Sequence, residues 1–514
     1  MRKLVSIFTM AALLAVLVPA CDKTTPENRD GKDDSGKTDP VPTPSAKADY
    51  TILFYGIGGG DLDLSDEQTI MDMARSLPKE NSNVRIVAEY KYSGEDGVKK
   101  SEKESDGLTI SGKAGQVYRF EITPGIAASK GANKYLSLPG SAAYGNQQGK
   151  AEMFQPDSIA SFIKYAVKQA PAGQYILFIS GHGNGYSLSD DLPLNTKSTA
   201  YDDNSGKGIS MYAIKEGIKR SGSQIAVLGF QSCEMGQLEV VAELQGAASY
   251  MMASGHSIND LGYNEMLDAM LDGETFQVCM KELVLGSLKA NLPKKGGNMN
   301  FFLTDLNKVG PFLNALKDIT DYLCTHKTDN LNGYLAAAGK TYQYDKEDSK
   351  FDIFDYLCFL GTEVYSQDDN YKALLKKVRE TLEAAQPIHY NSLDCKDDDY
   401  YERLSYSVTL GAQGYLAEYS DKGHRQIARA KNGDTYRLKM NVVGQLVNQE
   451  PETAWDKTYN LTTFDKTVGW SKWFAVNPAF PRNNPPFYLF QNADDPIEDD
   501  EEDEEDELEK YLGL

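Results

Sequence analysis

Two residues able to do chemistry together, His182 and Cys233, stand 51 positions apart. A thiol is a poor nucleophile until it ionises, and an imidazole beside it can take its proton and later return it to a leaving group. Each residue lies just past an apolar run. Tyr175-Ile-Leu-Phe-Ile-Ser180 stops at Gly181-His182-Gly183-Asn184-Gly185, and Gln224-Ile-Ala-Val-Leu-Gly-Phe230 stops at Gln231-Ser232-Cys233. Runs of this texture ending in turn residues predict buried strands. Between them lie an amphipathic segment, 209–218, and a Ser221-Gly222-Ser223 break. A strand, helix, strand unit needs a parallel pair joined by a right-handed crossover. Both side chains then fall on the carboxyl edge, where open α/β sheets place their sites. Taken singly, His182 also reads as a turn histidine and Cys233 as a small buried hydrophobe. The shared edge, the interval and the glycines together point to a dyad.

The flanking chain supplies the elements that must position this pair. Residues 50–57 form a first strand that ends in Gly58-Gly59-Gly60-Asp61. A glycine loop there could cradle phosphate, but no Gly-Lys-Ser/Thr follows, and the next helix is expected to begin near Asp66. Strands are expected at 83–90 and 117–122, then a helix at 158–167, capped by Asp157 or Ser158, leading into the His182 strand. After Cys233 a helix starts at Leu238. A short strand, 249–253, ends at Ser254-Gly255-His256, which makes His256 a second candidate base behind His182. Residues 275–323 read as helical apart from a strand at 300–304. Phe351–Leu357 reads as a capped helix start and 371–385 as a helix, while 404–410, 413–418 and 435–443 alternate like strands. The fold class is α/β: a wound, mostly parallel sheet flanked by helices, with C-terminal α+β additions.

The 51-residue interval is close to the roughly 50 residues between histidine and cysteine in caspase-like peptidases. With Ser180-Gly-His182-Gly-Asn-Gly185 and Gly229-Phe-Gln-Ser-Cys233-Glu-Met235, the chain resembles the clostripain family of cysteine peptidases over most of residues 50–475. The resemblance implies a caspase-like fold and an oxyanion held by the backbone N–H groups of Gly183 and Cys233. It also implies self-cleavage after a basic residue between histidine and cysteine. Lys197-Ser198 and Lys207-Gly208 are the candidate bonds, with Lys197 in the more open composition. Relatives commonly carry an aspartate two residues before the cysteine, lining a pocket for arginine or lysine. Here Gln231 stands instead, and an amide cannot neutralise a cation. Glu234, Glu239 and Asp260 are nearby acids that could compensate, though each also reads as a surface carboxylate. Gly255 replaces a glutamate of the family pattern.

The 514 residues are 41% hydrophobic and carry a formal charge of −22, an ordinary globular composition. Met1-Arg-Lys3 followed by the apolar run 4–18 predicts an export signal rather than a membrane span. Its end, Val18-Pro19-Ala20-Cys21, resembles a lipobox, making Cys21 the lipid anchor, with cleavage after Ala20 and no lipid as the alternative. Residues 22–48 read as a disordered tether, 49–300 as the catalytic core, 301–490 as a supporting region and 491–514 as an acidic disordered tail. That tail, with 13 acids and one lysine from Asp494 on, argues against a nucleic-acid partner. The polar stretch 188–208, with Asp190, Asp191, Asp202, Asp203 and Asn204, reads as a solvated loop. It carries calcium-type ligands without a fixed-spacing motif, so calcium is possible and no organic cofactor is implied. Cys279, Cys324, Cys358 and Cys395 show neither zinc spacing nor a disulfide framework, and the first three read as buried thiols.

The expected protein is an exported cysteine endopeptidase, lipid-anchored to the bacterial envelope at the outer membrane or cell surface, acting on peptide or protein substrates. The alternative is a surface lipoprotein that keeps the peptidase fold and only binds peptide or protein.

Overall fold

The computed structural model describes residues 47–80, 83–104, 109–126, 136, 138, 151–183, 185, 198–291, 299–340, 352–391 and 462–477. Outside them lie Cys21, Lys197, Asp190, Asp191, Cys395, the alternating stretches of 404–443 and the acidic tail.

Among the described residues the chain builds an eight-stranded sheet. Its N-terminal strands are β1 (Ala48–Ile57), β2 (Val84–Lys91), β3 (Val117–Ile122) and β4 (Ala172–Ser180). A separate hairpin, β5 (Ser198–Asp202) and β6 (Lys207–Ser210), follows. The sheet resumes with β7 (Val227–Gln231), β8 (Tyr250–Ala253), β9 (Asn300–Asp305) and β10 (Ile388–Asn391). The spatial order is β10-β9-β8-β7-β4-β1-β2-β3. The central strands β8, β7, β4, β1 and β2 are parallel, while β3, β9 and β10 pair antiparallel to their neighbours.

Alternation along the central strands sends side chains to two cores. Leu53, Tyr55, Leu177, Ile179, Leu228 and Phe230 pack on one face with α3 (Pro156–Gln169), α4 (Met211–Ser221) and α5 (Leu238–Glu243). Ile52, Phe54, Ile176, Phe178 and Met252 pack on the other with α1 (Asp63–Ser76), α6 (Tyr263–Leu271) and α7 (Phe276–Ala290). Both faces are covered, which is why these strands read as unbroken apolar runs. Each fully buried large side chain contributes about 1.5–3 kcal/mol.

Several local expectations change. The first helix begins at Asp63 rather than near Asp66, because Leu62 N–H bonds back to the Gly58 carbonyl and turns the chain directly into it. α3 opens on Pro156 without a side-chain cap, since proline suits a first turn and Ser158 Oγ donates instead to the Glu152 carbonyl. Ile209 belongs to β6, and Ser210 caps α4 by accepting from Ala213 N–H. The start at Phe351–Leu357 is a capped helix: Asp352 accepts from Asp355 N–H at 2.9 Å. Cys279 and Cys358 are buried, whereas Cys324 is half-buried. Among the described residues no helix is long and apolar enough to cross a membrane.

Candidate active site

The site follows from one register. Ser180 pairs with Gln231 across the parallel β4–β7 ladder, and Gly181 N–H donates to the Gln231 carbonyl at 3.2 Å. His182 and Cys233 each lie two residues further on, at the same edge. Gly183 then presses against the Cys233 backbone: a Cβ there would sit 2.4 Å from Cys233 O and 2.8 Å from Cys233 N. Only glycine allows that approach. The β5–β6 hairpin closes the other side. Thr199 forms a bridge with Gly183 and donates to Ser232 Oγ at 2.6 Å, and Ala200 N–H donates to the His182 carbonyl at 2.6 Å.

The Cys233 thiol is free and half-buried. Its sulfur accepts from Ile258 N–H at 3.3 Å and its S–H donates to the Ile258 carbonyl at 3.5 Å. Glu234 takes a left-handed backbone (φ +60°), uncommon without glycine. The turn is held in it by bonds from Glu234 N–H to the His256 carbonyl and from Gly236 N–H to the Ser254 carbonyl. His182 Nε2 lies 2.6 Å from Asp61 Oδ1. The other Asp61 oxygen, Oδ2, accepts from Lys100 Nζ, also at 2.6 Å. Partial burial alone would raise Asp61, but hydrogen bonds and charge from Lys100 and His182 hold it below the usual carboxylate range. Among the described residues the thiol and the ring do not hydrogen-bond to each other; such bonds often form only with substrate in place.

Gln231 is buried with its amide engaged at both ends. Nε2 donates to Thr69 Oγ1 at 3.3 Å, and Oε1 accepts from the Tyr263 hydroxyl at 2.8 Å. Tyr263 is itself set edge-on against Phe54 and Phe178. Asp260 is also associated with Thr69, and its carboxyl is raised by burial and by the charges of Asp72 and Glu265. Asn291 fixes this loop, accepting from Asn259 N–H at 2.6 Å and donating to the Asp260 carbonyl at 2.5 Å. Behind it, α1 buries three acids. Burial drives Asp66 and Glu67 up to about 7 and Asp63 to about 6, against the opposing pull of hydroxyl and amide donors. Asp66 accepts from Ser180 Oγ at 2.7 Å, one strand end behind the histidine loop.

The structure thus brings together His182, Gly183, Gln231, Cys233 and Asp260. Glu234 and Glu239 are buried rather than superficial, because their turn and α5 pack under the sheet edge. His256 is buried, and its carbonyl pins the turn after Cys233. The expected solvated loop contains the hairpin instead. Asp202 is fully buried and pairs with Lys91 Nζ at 2.7 Å, while Asp203 accepts from Gly94 N–H at 2.9 Å. Among the described residues no group of three or more His, Cys, Asp or Glu side chains is arranged for a metal. The sequence reading passed over Asp61, Lys100, Ile258 and Asn291. Only Asp61 carried a signal, an acid placed directly after a glycine turn at a strand end.

A wound sheet presenting a thiol and an imidazole on adjacent strand ends defines a class, the cysteine peptidase fold. The model of the clostripain family matches residues 139–475, and the chain belongs to that family. The fold is similar to that of a secreted C11 cysteine protease from Bacteroides thetaiotaomicron, "iotapain", at 14% identity and a TM-score of 0.51, covering 82% of this chain and 99% of that one. A structure of a secreted C11 cysteine protease from the same organism with an irreversible peptide inhibitor aligns at 14% identity, TM-score 0.49, with the same coverage. An inactive zymogen C11 protease from Parabacteroides distasonis aligns at 13% identity, TM-score 0.47, covering 83% and 99%. No curated protein matches the chain.

Proposed function

We propose that this chain is a cysteine endopeptidase working through Cys233 and His182. The observation that carries the reading is the Ser180–Gln231 pairing, which sets both residues two positions past one sheet edge with Gly183 against the Cys233 backbone. His182 takes the thiol proton, and the thiolate attacks the scissile carbonyl. The Gly183 and Cys233 N–H groups receive the oxyanion, and the imidazolium protonates the leaving amine to leave a thioester. Water, deprotonated by His182, hydrolyses the thioester.

Cleavage after arginine or lysine is supported by Asp260 rather than by Gln231. The Gln231 amide is consumed by Thr69 and Tyr263, whereas Asp260 is a partly exposed carboxyl that burial leaves without enough counter-charge. A cationic side chain would supply that charge. The same preference makes Lys197 a self-cleavage site. The apolar run 4–18 and Cys21 support export and lipid anchoring in the envelope.

The test is cleavage of a peptide library varied at the residue before the scissile bond, comparing the full chain with Cys233→Ala, with and without calcium. Cleavage after Arg or Lys that is lost in the variant is the expected result. Equal behaviour of the two proteins would leave a peptide-binding role.

A further inference from the structure

We infer that Asp61 is a positioning residue for His182, holding the ring through Nε2 so that Nδ1 is the atom that receives the Cys233 proton. The inference rests on the dyad reading above. A carboxylate oxygen 2.6 Å from Nε2 requires an N–H on that nitrogen, since two acceptors do not approach so closely. In the neutral ring the lone pair then belongs to Nδ1. As the proton moves from sulfur to Nδ1, the ring becomes a cation, and Asp61 is the anion already bonded to it.

The fold is built to deliver this acid. β1 is the neighbour of β4 on the side away from β7, and Gly56 pairs with Ser180, so the loop after β1 opens at the histidine's own edge. Gly59 and Gly60 take positive φ, 61° and 107°. A Cβ on Gly59 would stand 2.8 Å from the Tyr201 carbonyl and 3.1 Å from His182 Cδ2. Several of the loop's polar groups are spent on the protein: Gly58 N–H on the Lys91 carbonyl, Gly60 N–H on Ser93 Oγ, and the Asp61 carbonyl on Ser101 Oγ. This glycine run therefore serves as a mount for Asp61. The charged groups on the carboxylate are His182 and, from α2 (Glu95–Glu104), Lys100. Lys100 shares the anion and so weakens its hold on the imidazolium.

The experiment compares the full chain with Asp61→Asn, Asp61→Glu and Lys100→Met, reading kcat and KM against pH and the pH profile of Cys233 alkylation by iodoacetamide. Asp61→Asn is expected to lower kcat roughly ten- to a hundredfold with KM little changed, less than the loss of a fully buried triad aspartate. Its alkaline limb should move down by about one pH unit, because the imidazolium loses its anion. Asp61→Glu should recover part of kcat, and Lys100→Met should move the limb upward. In the unaltered protein, 15N spectra assigned with His182→Gln should show the Nε2–H tautomer; an Nδ1–H tautomer would overturn the inference without any Asp61 variant having to fold. Profiles indifferent to Asp61→Asn would also sink it. If alkylation and cleavage are instead indifferent to His182→Ala, the dyad reading itself fails and the role of Asp61 goes with it.

Discussion

The Tyr263 hydroxyl donates to Gln231 Oε1 at 2.8 Å, so the side chain two residues before Cys233 is tied to α6 and not free for a substrate. Gln231→Glu keeps the shape and adds a charge among Asp66 and Asp260. The ratio of kcat/KM for arginine over neutral peptides should rise about tenfold. Stability should fall by about 1–3 kcal/mol, measured by urea unfolding, because a buried carboxylate replaces a bonded amide.

Gly183→Ala tests the proposed oxyanion site. Its Cβ would meet Cys233 O at 2.4 Å and Ser232 Cβ at 2.8 Å, and both are parts of a packed turn. Displacing the N–H donors should cost at least about a hundredfold in kcat. Binding of a peptide by the Cys233→Ala, Gly183→Ala double variant should change far less.

Lys91 and Asp202 are both buried and pair at 2.7 Å, with Lys91 also donating to the Ala151 carbonyl. Lys91→Met leaves the Asp202 charge stranded and should cost about 3–5 kcal/mol. Adding Asp202→Leu should restore much of it, as a double-mutant cycle in chemical denaturation would record.

The α1 acids give stability a slope with pH. Asp66 and Glu67 near 7 and Asp63 near 6 are all raised above the roughly 4 of an unfolded chain. Their contribution is complete below pH ~4 and is lost as pH rises through ~7. Asp61, which is lowered, acts in the opposite sense and weakens the fold only in acid. Unfolding should therefore be harder at pH 5 than at pH 8. Asp66→Asn should flatten that slope, and a flat profile in the unaltered protein would contradict the buried charges.

The parallel core was legible because its strands are apolar on both faces: 50–57 lies in β1, and Tyr175–Ser180 is the end of β4. The placing of His182 and Cys233 at one sheet edge was legible because both residues follow such runs. The pairing of Asp61 with His182 was not, since the two are 121 positions apart and only the strand order brings them together. The 198–210 hairpin was missed because its acids look solvated in sequence, while Asp202 is buried against a lysine 111 positions earlier. Glu234 and Glu239 were misplaced for the same reason. Charge in a sequence does not announce its counter-charge.

The strand order divides the sheet cleanly. Every strand on the β4 side of the β4–β7 seam precedes the His182–Cys233 connection, and every strand on the β7 side follows it. A chain severed between His182 and β5 therefore yields two pieces, one bearing the imidazole and the other the thiol. Each exposes an apolar strand edge that only the other covers. Neither piece covers its own edge, and mixing the two should reconstitute a single particle.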